Sequence, residues 1–173
     1  MWNRRPGRPC RTVAIEIQLA DSADHDGLFA AFDQIVEEGD GFPLAPPLSR
    51  SAFEDYWFGH ASTVWVARVD GALAGGYYVK PNFVGRAAHI ANAGYFLLAA
   101  YRGQGLGRRL VEDSLAEARR LGFDAMQFNL VFASNPARRT YRKLGFREIG
   151  LLPAAVDGED AIIYWRSLIP EDS

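Results

Sequence analysis

A glycine-rich stretch at residues 101–110, YRGQGLGRRL, holds the first residues whose types and spacing could do chemistry. It separates a long apolar run from a helical pattern, and the start of a helix presents unpaired N–H groups to anions. Glycines let a phosphate approach the backbone closely, and arginines add charge-assisted hydrogen bonds. The stretch therefore predicts a phosphate-binding loop. Its candidate residues are Arg102, Gly103, Gly105, Gly107, Arg108 and Arg109.

The common nucleotide-binding motifs do not fit this loop. A Walker loop needs a lysine after its last glycine, but Gly107 is followed by Arg108. A dinucleotide fingerprint needs the spacing G-x-G-x-x-G, which residues 103–107 lack. A tight turn without a ligand is the remaining alternative, although one glycine would suffice for it.

Composition restricts the function classes. The chain has 173 residues, of which 49% are hydrophobic and 23% charged, as is typical of one soluble globular domain. A net charge of −2 argues against nucleic acid as a partner. No apolar run approaches the roughly 20 residues that span a bilayer, so no membrane partner is expected. Cys10 is the only cysteine, which excludes a disulfide within the chain and favours a reducing, cytoplasmic location.

The chain divides into a short tail and one domain. Residues 1–12 are basic and lack the apolar stretch of a secretory signal, so we expect a disordered N-terminal tail. A nucleic-acid or targeting role for this tail stays open. Residues 13–170 are expected to form a single α/β domain, because hydrophobic periodicity predicts the order β-α-α-β-β-β-α-β-α-β-β.

Local signals predict how these elements begin and turn. Asp21 or Ser22 is expected to cap the first helix. Asp70–Gly71 is typical of a hairpin turn between two strands, and Gly75–Gly76 predicts a bulge in the second of them.

Two motifs in register resemble the GNAT acetyltransferase superfamily. The run Arg102-Gly103-Gln104-Gly105-Leu106-Gly107 matches the pattern R/Q-x-x-G-x-G/A, and NPARRTYRKLGF at 135–146 resembles the second motif. The resemblance covers residues 13–168. It implies a GNAT fold, in which a mixed, mostly antiparallel central sheet splays between its fourth and fifth strands and carries helices on both faces.

The same resemblance implies acetyl-CoA as the acetyl donor, with no metal. The loop would bind the pyrophosphate, and the preceding strand would lend backbone groups to the pantetheine. A backbone N–H of Leu97 or Leu98 would stabilise the acetyl oxygen. The residues implied in cofactor binding are Phe96, Leu97, Leu98, Arg102, Gly103, Gln104, Gly105, Leu106, Gly107, Arg108, Asn135, Arg138 and Tyr141.

The acid and base of the reaction are less evident. Tyr141 is the candidate acid for the CoA sulfur, the alternative being that it only packs against the cofactor. No carboxylate occurs in 87–100, where many family members carry a glutamate. His89 could be a base or, as we favour, a satisfied core histidine. Asp157, Glu159 and Asp160 are further candidates for the base, the alternative being that they only form a solvated loop.

Two asparagines interrupt apolar strands, Asn92 and Asn129. A buried amide must be hydrogen-bonded, so each either stitches the structure or faces a polar ligand. The stretches YYVKPN, HIANAGY, FNLVFASN and DAIIY resemble the branch that includes the yeast acetyltransferase acting on azetidine-2-carboxylate and other proline analogues. This narrower resemblance implies a catalytic role for Asn92, and a substrate carboxylate held at Asn129 and Leu130. Tyr141 departs from the branch, where a tryptophan is expected, so its acid role is implied by the wider superfamily.

The sequence therefore predicts an acetyl-CoA-dependent N-acetyltransferase acting on a small-molecule amine, with a carboxylate-bearing amino acid or proline analogue as one option. The Pro-rich loop at 42–48 and the aromatic residues Phe53, Tyr56 and Trp57 favour a closed pocket. A protein or peptide N-acetyltransferase and a non-catalytic CoA-binding regulatory module remain alternatives, and a homodimer remains open.

Overall fold

A computed structural model describes residues 13–39 and 41–170 of the chain. The tail predicted at residues 1–12 lies outside the described residues. The strands are β1 (Ile15–Leu19), β2 (Thr63–Val69), β3 (Ala72–Pro81), β4 (Ile90–Leu97), β5 (Ala125–Phe132), β6 (Arg147–Val156) and β7 (Glu159–Ser167). The α-helices are α1 (His25–Glu37), α2 (Arg50–Trp57), α3 (Leu106–Arg120) and α4 (Arg138–Lys143). This order confirms the one predicted from periodicity.

The seven strands form one sheet in the order β1-β2-β3-β4-β5-β7-β6. All neighbours are antiparallel except β4 and β5, which are parallel. These two strands share only the pairs Ile90 with Ala125 and Ala91 with Met126. Beyond those pairs they separate, which confirms the predicted splay between the fourth and fifth strands.

Alternating residues of the central strands bury two separate cores, one on each face of the sheet. Trp65 and Tyr77 pack with the apolar side chains of α3 and α4 on one face. Val66 and Tyr78 pack with those of α1 and α2 on the other. Because side chains of a strand alternate between faces, helices on both faces follow from the strand pattern, as predicted.

Two local predictions are wrong in detail. The extra residue of the β2–β3 hairpin is Ala74 rather than the Gly75–Gly76 pair, since Ala67 pairs with Gly75 and Arg68 with Leu73. The glycines instead permit a close approach: a Cβ on Gly75 would lie 2.3 Å from the carbonyl oxygen of Phe96.

The other error concerns the start of α1. Its cap residue is Asp24, not Asp21 or Ser22, and the Asp24 side chain forms no cap hydrogen bond to the helix. Its carboxylate accepts instead from the backbone N–H of Asp21 and from the guanidinium of Arg68 on β2. The Asp24 carboxylate therefore forms a tertiary ion pair instead of capping the helix. Among the described residues, no helix is long and apolar enough to cross a membrane.

Candidate active site

The splay between β4 and β5 opens a cleft of about 790 Å³, within the range of about 300–1,000 Å³ that holds small-molecule ligands. One end is the loop between β4 and α3, and the other is formed by the end of β3 and the start of β4. Predicted cofactor residues that line the cleft are Phe96, Leu97, Arg102, Gly103, Gly105, Gly107, Arg108, Asn135 and Tyr141. Predicted substrate residues that line it are Asn92, Asn129 and Leu130.

The N-terminus of α3 has the form of an anion site. Its cap residue is Gly105, in the left-handed region at φ +82°, with no side-chain cap hydrogen bond. The first N–H groups of the helix therefore have no intrahelical acceptor. A Cβ added at Gly103, Gly105 or Gly107 would meet no atom within 4 Å. The chain itself leaves this space open, so the residues fit a phosphate group that approaches the backbone.

The remaining predicted cofactor residues have protein partners. Leu106 is buried in the core, and Gln104 Nε2 donates to the carbonyl oxygen of Ala100 at 3.1 Å. Arg138 Nη1 donates to the carbonyl oxygen of Ala133 at 2.7 Å. Together with Leu98, these three are not among the residues that line the cleft, and their contact with cofactor stays a prediction.

Arginines at both ends of the loop are held by protein groups. Arg102 Nε donates to the carbonyl oxygen of Leu97 at 2.8 Å, and its guanidinium lies 3.7 Å from a carboxylate oxygen of Glu38. Arg108 Nε donates to Glu112 at 2.8 Å along α3. These contacts orient both guanidinium groups at the rim of the cleft.

Tyr141 reaches the cleft from α4. Its ring packs against Phe128 of β5, with 4.8 Å between ring centroids, and 6% of the residue is exposed. Burial raises the pKa of the Tyr141 hydroxyl above its ordinary value, and the neighbouring Tyr164 raises it further. The hydroxyl therefore stays protonated at neutral pH, in the form that can donate a proton.

Asn92 is half-buried at the point where β4 and β5 separate. Its Nδ2 donates to the backbone carbonyl oxygen of Gln127 on β5 at 2.9 Å. Because a carbonyl only accepts, this contact fixes the orientation of the amide. Among the described residues, no hydrogen bond is made to Asn92 Oδ1, so that oxygen remains available to a donor in the cleft. Asn92 thus combines both predicted roles, a stitch and a cleft-lining group.

Asn129 is exposed in the wall of the cleft rather than buried. Its amide exchanges hydrogen bonds with Asn82, at the end of β3, and its Oδ1 also accepts from Gln127 Nε2 at 2.9 Å. Phe128 pairs with Tyr164 and Val131 with Ile162, so Asn129 and Leu130 together face one residue of β7. This bulge turns Asn129 and Leu130 towards the cleft.

The candidate bases do not enter the cleft. His89 is exposed, and its Nδ1 lies 3.0 Å from the carbonyl oxygen of Arg86, so it is not a core residue as favoured above. Glu159 accepts from the backbone N–H of Ser134 at 2.7 Å, which lowers the pKa of its carboxyl. Asp160 accepts from the N–H of Ala154. Glu159 and Asp160 are the first two residues of β7, and Asp157 lies in the turn before it.

Sequence reasoning missed residues at the β3 end of the cleft. Of the three aromatic residues predicted to shape the pocket, Phe53 and Trp57 lie in the core and only Tyr56 lines the cleft. The missed lining residues include Lys80, Asn82 and Tyr78. All three belong to YYVKPN, in which Tyr78 and Lys80 alternate along β3 and Asn82 follows its last residue, and this spacing was the available signal.

This geometry matches known acetyltransferases. A model of the acetyltransferase (GNAT) family matches residues 29–146. N-acetyltransferase aca1 of Schizosaccharomyces pombe is 32% identical over 137 residues, which are 69% of this chain and 66% of that protein. The chain therefore spans slightly less than two thirds of that relative's length.

Solved structures share the architecture. A GCN5-related N-acetyltransferase from Kribbella flavida is 33% identical, with a TM-score of 0.82 over 89% of this chain and 98% of the other. A phosphinothricin acetyltransferase from Sinorhizobium meliloti, solved in complex with acetyl-CoA, is 21% identical, with a TM-score of 0.77 over 88% of each chain. At that identity the second similarity shows the fold alone.

Proposed function

The chain belongs to the acetyltransferase (GNAT) family, and we propose that it transfers the acetyl group of acetyl-CoA to a small-molecule amine that carries a carboxylate. The observation that supports this most is the cleft between β4 and β5. It has an open, glycine-lined helix N-terminus at one end and hydrogen-bonding amides at the other.

In this proposal the acetyl donor binds along the cleft. The pyrophosphate meets the backbone at Gly103, Gly105 and Gly107, where an added Cβ would meet no atom within 4 Å. The pantetheine follows the edge of β4 that β5 leaves free, at Phe96 and Leu97. The Sinorhizobium meliloti structure, which has the same fold and was solved in complex with acetyl-CoA, supports acetyl-CoA as the donor.

The chemistry requires an amine, a carbonyl carbon and a proton for the departing sulfur. Asn92 Oδ1 accepts a hydrogen bond from the neutral amine and directs its lone pair at the thioester carbonyl. The carbon–nitrogen bond forms, the carbon–sulfur bond breaks, and Tyr141 gives the thiolate a proton. The proton that the new amide nitrogen loses restores the Tyr141 hydroxyl. Asn92 lies on the α1/α2 face of β4, opposite to Tyr141 on α4, so the thioester would lie between them.

The acceptor end of the cleft favours a small molecule. Phe42, from the Pro-rich loop, packs edge-on against Phe32 of α1, with 4.8 Å between centroids, and also contacts Tyr56 of α2. Phe42 and Tyr56 line the cleft, so an aromatic wall bounds it where an extended peptide would have to pass. The bulge at Asn129 and Leu130 would hold the carboxylate of the acceptor with its backbone.

Thiol release from acetyl-CoA tests the proposal. The panel contains azetidine-2-carboxylate, phosphinothricin, simple amines without an acid group, and peptides with free N-termini. We expect turnover with carboxylate-bearing amines and a product that carries one acetyl group on nitrogen. Turnover with peptides alone would replace the proposal with a peptide acetyltransferase. Tight CoA binding without acetylation of any amine would indicate a non-catalytic module.

A further inference from the structure

One cation of the cleft lies apart from the glycine-rich loop. Lys80 is half-buried near the end of β3, it lines the cleft, and its register partner on β4 is Asn92. Directly opposed residues of an antiparallel pair point to the same face of a sheet. The Lys80 ammonium and the Asn92 amide therefore share the α1/α2 face, at the acceptor end.

Among residues 13–39 and 41–170, the groups in contact with the Lys80 ammonium are neutral. Its Nζ donates to the backbone carbonyl oxygen of Tyr56 at 3.3 Å and lies 5.1 and 4.6 Å from the ring centroids of Tyr56 and Tyr78. The ion pairs formed between described residues do not include Lys80. Burial lowers the pKa of Lys80, as expected for a cation that is removed from water without a carboxylate beside it. In the part of the chain that the structure describes, the titratable groups that face it are Tyr56 and Tyr78.

The pyrophosphate of CoA is not the natural partner of this charge. Leu97, at the end of β4 that leads into the glycine-rich loop, pairs with Gly75, whereas Lys80 pairs with Asn92. Five residues of strand separate these positions, or roughly 17 Å at the usual rise of about 3.4 Å per residue. An anion bound at Lys80 therefore belongs to the other substrate.

We propose that Lys80 is the anion-binding residue of the acceptor site and that it receives the carboxylate of the amine. This inference rests on the proposed function and names the charged group that selects its substrate class. Asn82 follows the last residue of β3, lines the same cleft as Lys80, and is hydrogen-bonded to Asn129. Lys80 thus opens onto the part of the cleft that the bulge at Asn129–Leu130 faces. A carboxylate held there directs the amine towards Asn92.

Substrate pairs that differ only in charge test this assignment. The acceptors are azetidine-2-carboxylate and phosphinothricin, each compared with its carboxamide, and the variants are Lys80→Met and Lys80→Arg. We expect Lys80→Met to raise KM for the acids roughly tenfold to hundredfold, since a hydrogen bond to a charged group is lost. The KM for the carboxamides and for acetyl-CoA should change less than twofold, and Lys80→Arg should restore part of the effect.

A matched control is available because, of the 19 lysines and arginines, only Lys80 and Lys143 are lysines. Lys143 is exposed on α4 and does not line the cleft, so Lys143→Met should leave every KM unchanged. In protein labelled with ¹³C at lysine Cε, only these two side chains give signals. With CoA present, azetidine-2-carboxylate should raise the pKa of Lys80 and leave that of Lys143 unchanged, and the carboxamide should shift neither.

The outcomes separate this inference from the proposed function. Acetylation of the acids by Lys80→Met with unchanged KM would overturn it, as would a selective rise in the KM for acetyl-CoA. A Lys80 signal that ignores the acids would also overturn it. If the acids shift the Lys80 pKa but no amine is acetylated, the anion site stands and the proposed function fails.

Discussion

Two glycines with the same backbone geometry allow the fold and the cofactor site to be perturbed separately. Gly105 caps α3 and Gly71 closes the β2–β3 hairpin, and both have φ +82° with no atom within 4 Å of an added Cβ. The only cost of an alanine at either position is that of the left-handed conformation, which destabilises the folded state by about 1–2 kcal/mol. Gly105→Ala and Gly71→Ala should therefore lower the free energy of unfolding by similar amounts, measured by urea denaturation.

Cofactor affinity should separate the two variants. The methyl group of Gly105→Ala enters the space assigned to the pyrophosphate, and one lost hydrogen bond to a charged group costs about 1.5–3 kcal/mol. We expect the Kd for CoA, measured by isothermal titration calorimetry, to rise roughly tenfold to hundredfold. Gly71 lies outside the residues that line the cleft, so Gly71→Ala should bind CoA as the wild type does.

At a third glycine of the same loop, substitution by alanine should change the free energy of unfolding in the opposite direction. Gly107 lies in the first turn of α3 without a positive φ, and a Cβ there meets nothing within 4 Å. Gly107→Ala should raise the free energy of unfolding by up to about 1 kcal/mol, because alanine favours the helix. The motif accepts alanine at this position, so CoA affinity should fall only a few-fold. Equal CoA affinity of Gly105→Ala and Gly71→Ala would refute the assignment of the loop.

Further predictions concern the reacting groups. Asn92→Ala should lower kcat while the Kd for CoA changes less than twofold, and a loss of CoA binding in titration calorimetry would mean that its bond to Gln127 only holds the strands. Tyr141→Phe should lower kcat roughly 10²- to 10⁴-fold, and unchanged turnover would remove the acid role. Because burial raises the pKa of Tyr141 above 10.0, wild-type kcat should not fall through loss of this proton between pH 7 and about 9; a fall that disappears in Tyr141→Phe would contradict this. Gly94→Ala should destabilise the fold, since its Cβ would lie 2.6–2.7 Å from the ring of Tyr78; urea denaturation equal to wild type would show that the ring moves freely.

The glycine-rich loop and the order of elements could be read from the sequence because they depend on neighbours along the chain. Strand alternation, helical periodicity and the Asp70–Gly71 turn act over a few residues, and each is found in the structure. The prediction of a phosphate-binding loop at residues 103–107 also needs only a strand end, glycines and a helix start. These features can therefore be predicted without knowledge of the tertiary contacts.

The acceptor end depends on contacts between distant segments. Asn82 and Asn129 are bonded across 47 positions, and Asn92 donates to a carbonyl 35 positions away. Sequence alone could not show that Asn129 is exposed. It could not show that Asn135 lines the cleft while Arg138 donates to the carbonyl oxygen of Ala133, or that Glu159 accepts a hydrogen bond from the Ser134 N–H. Each of these outcomes depends on which strands pair and where the pairing stops.

The sequence by itself determined a glycine-rich backbone at the start of α3 and so predicted a phosphate site there, because conformational freedom and helix polarity are local properties. The tertiary structure decided which side chains surround the acceptor. β4 and β5 separate after two residue pairs, which opens the cleft. The bulge in β5 places Asn129 in that cleft, and Lys80 of β3 and its register partner Asn92 of β4 line it as well. The physical reason is that register and splay are set by packing across the whole sheet, which no single segment encodes.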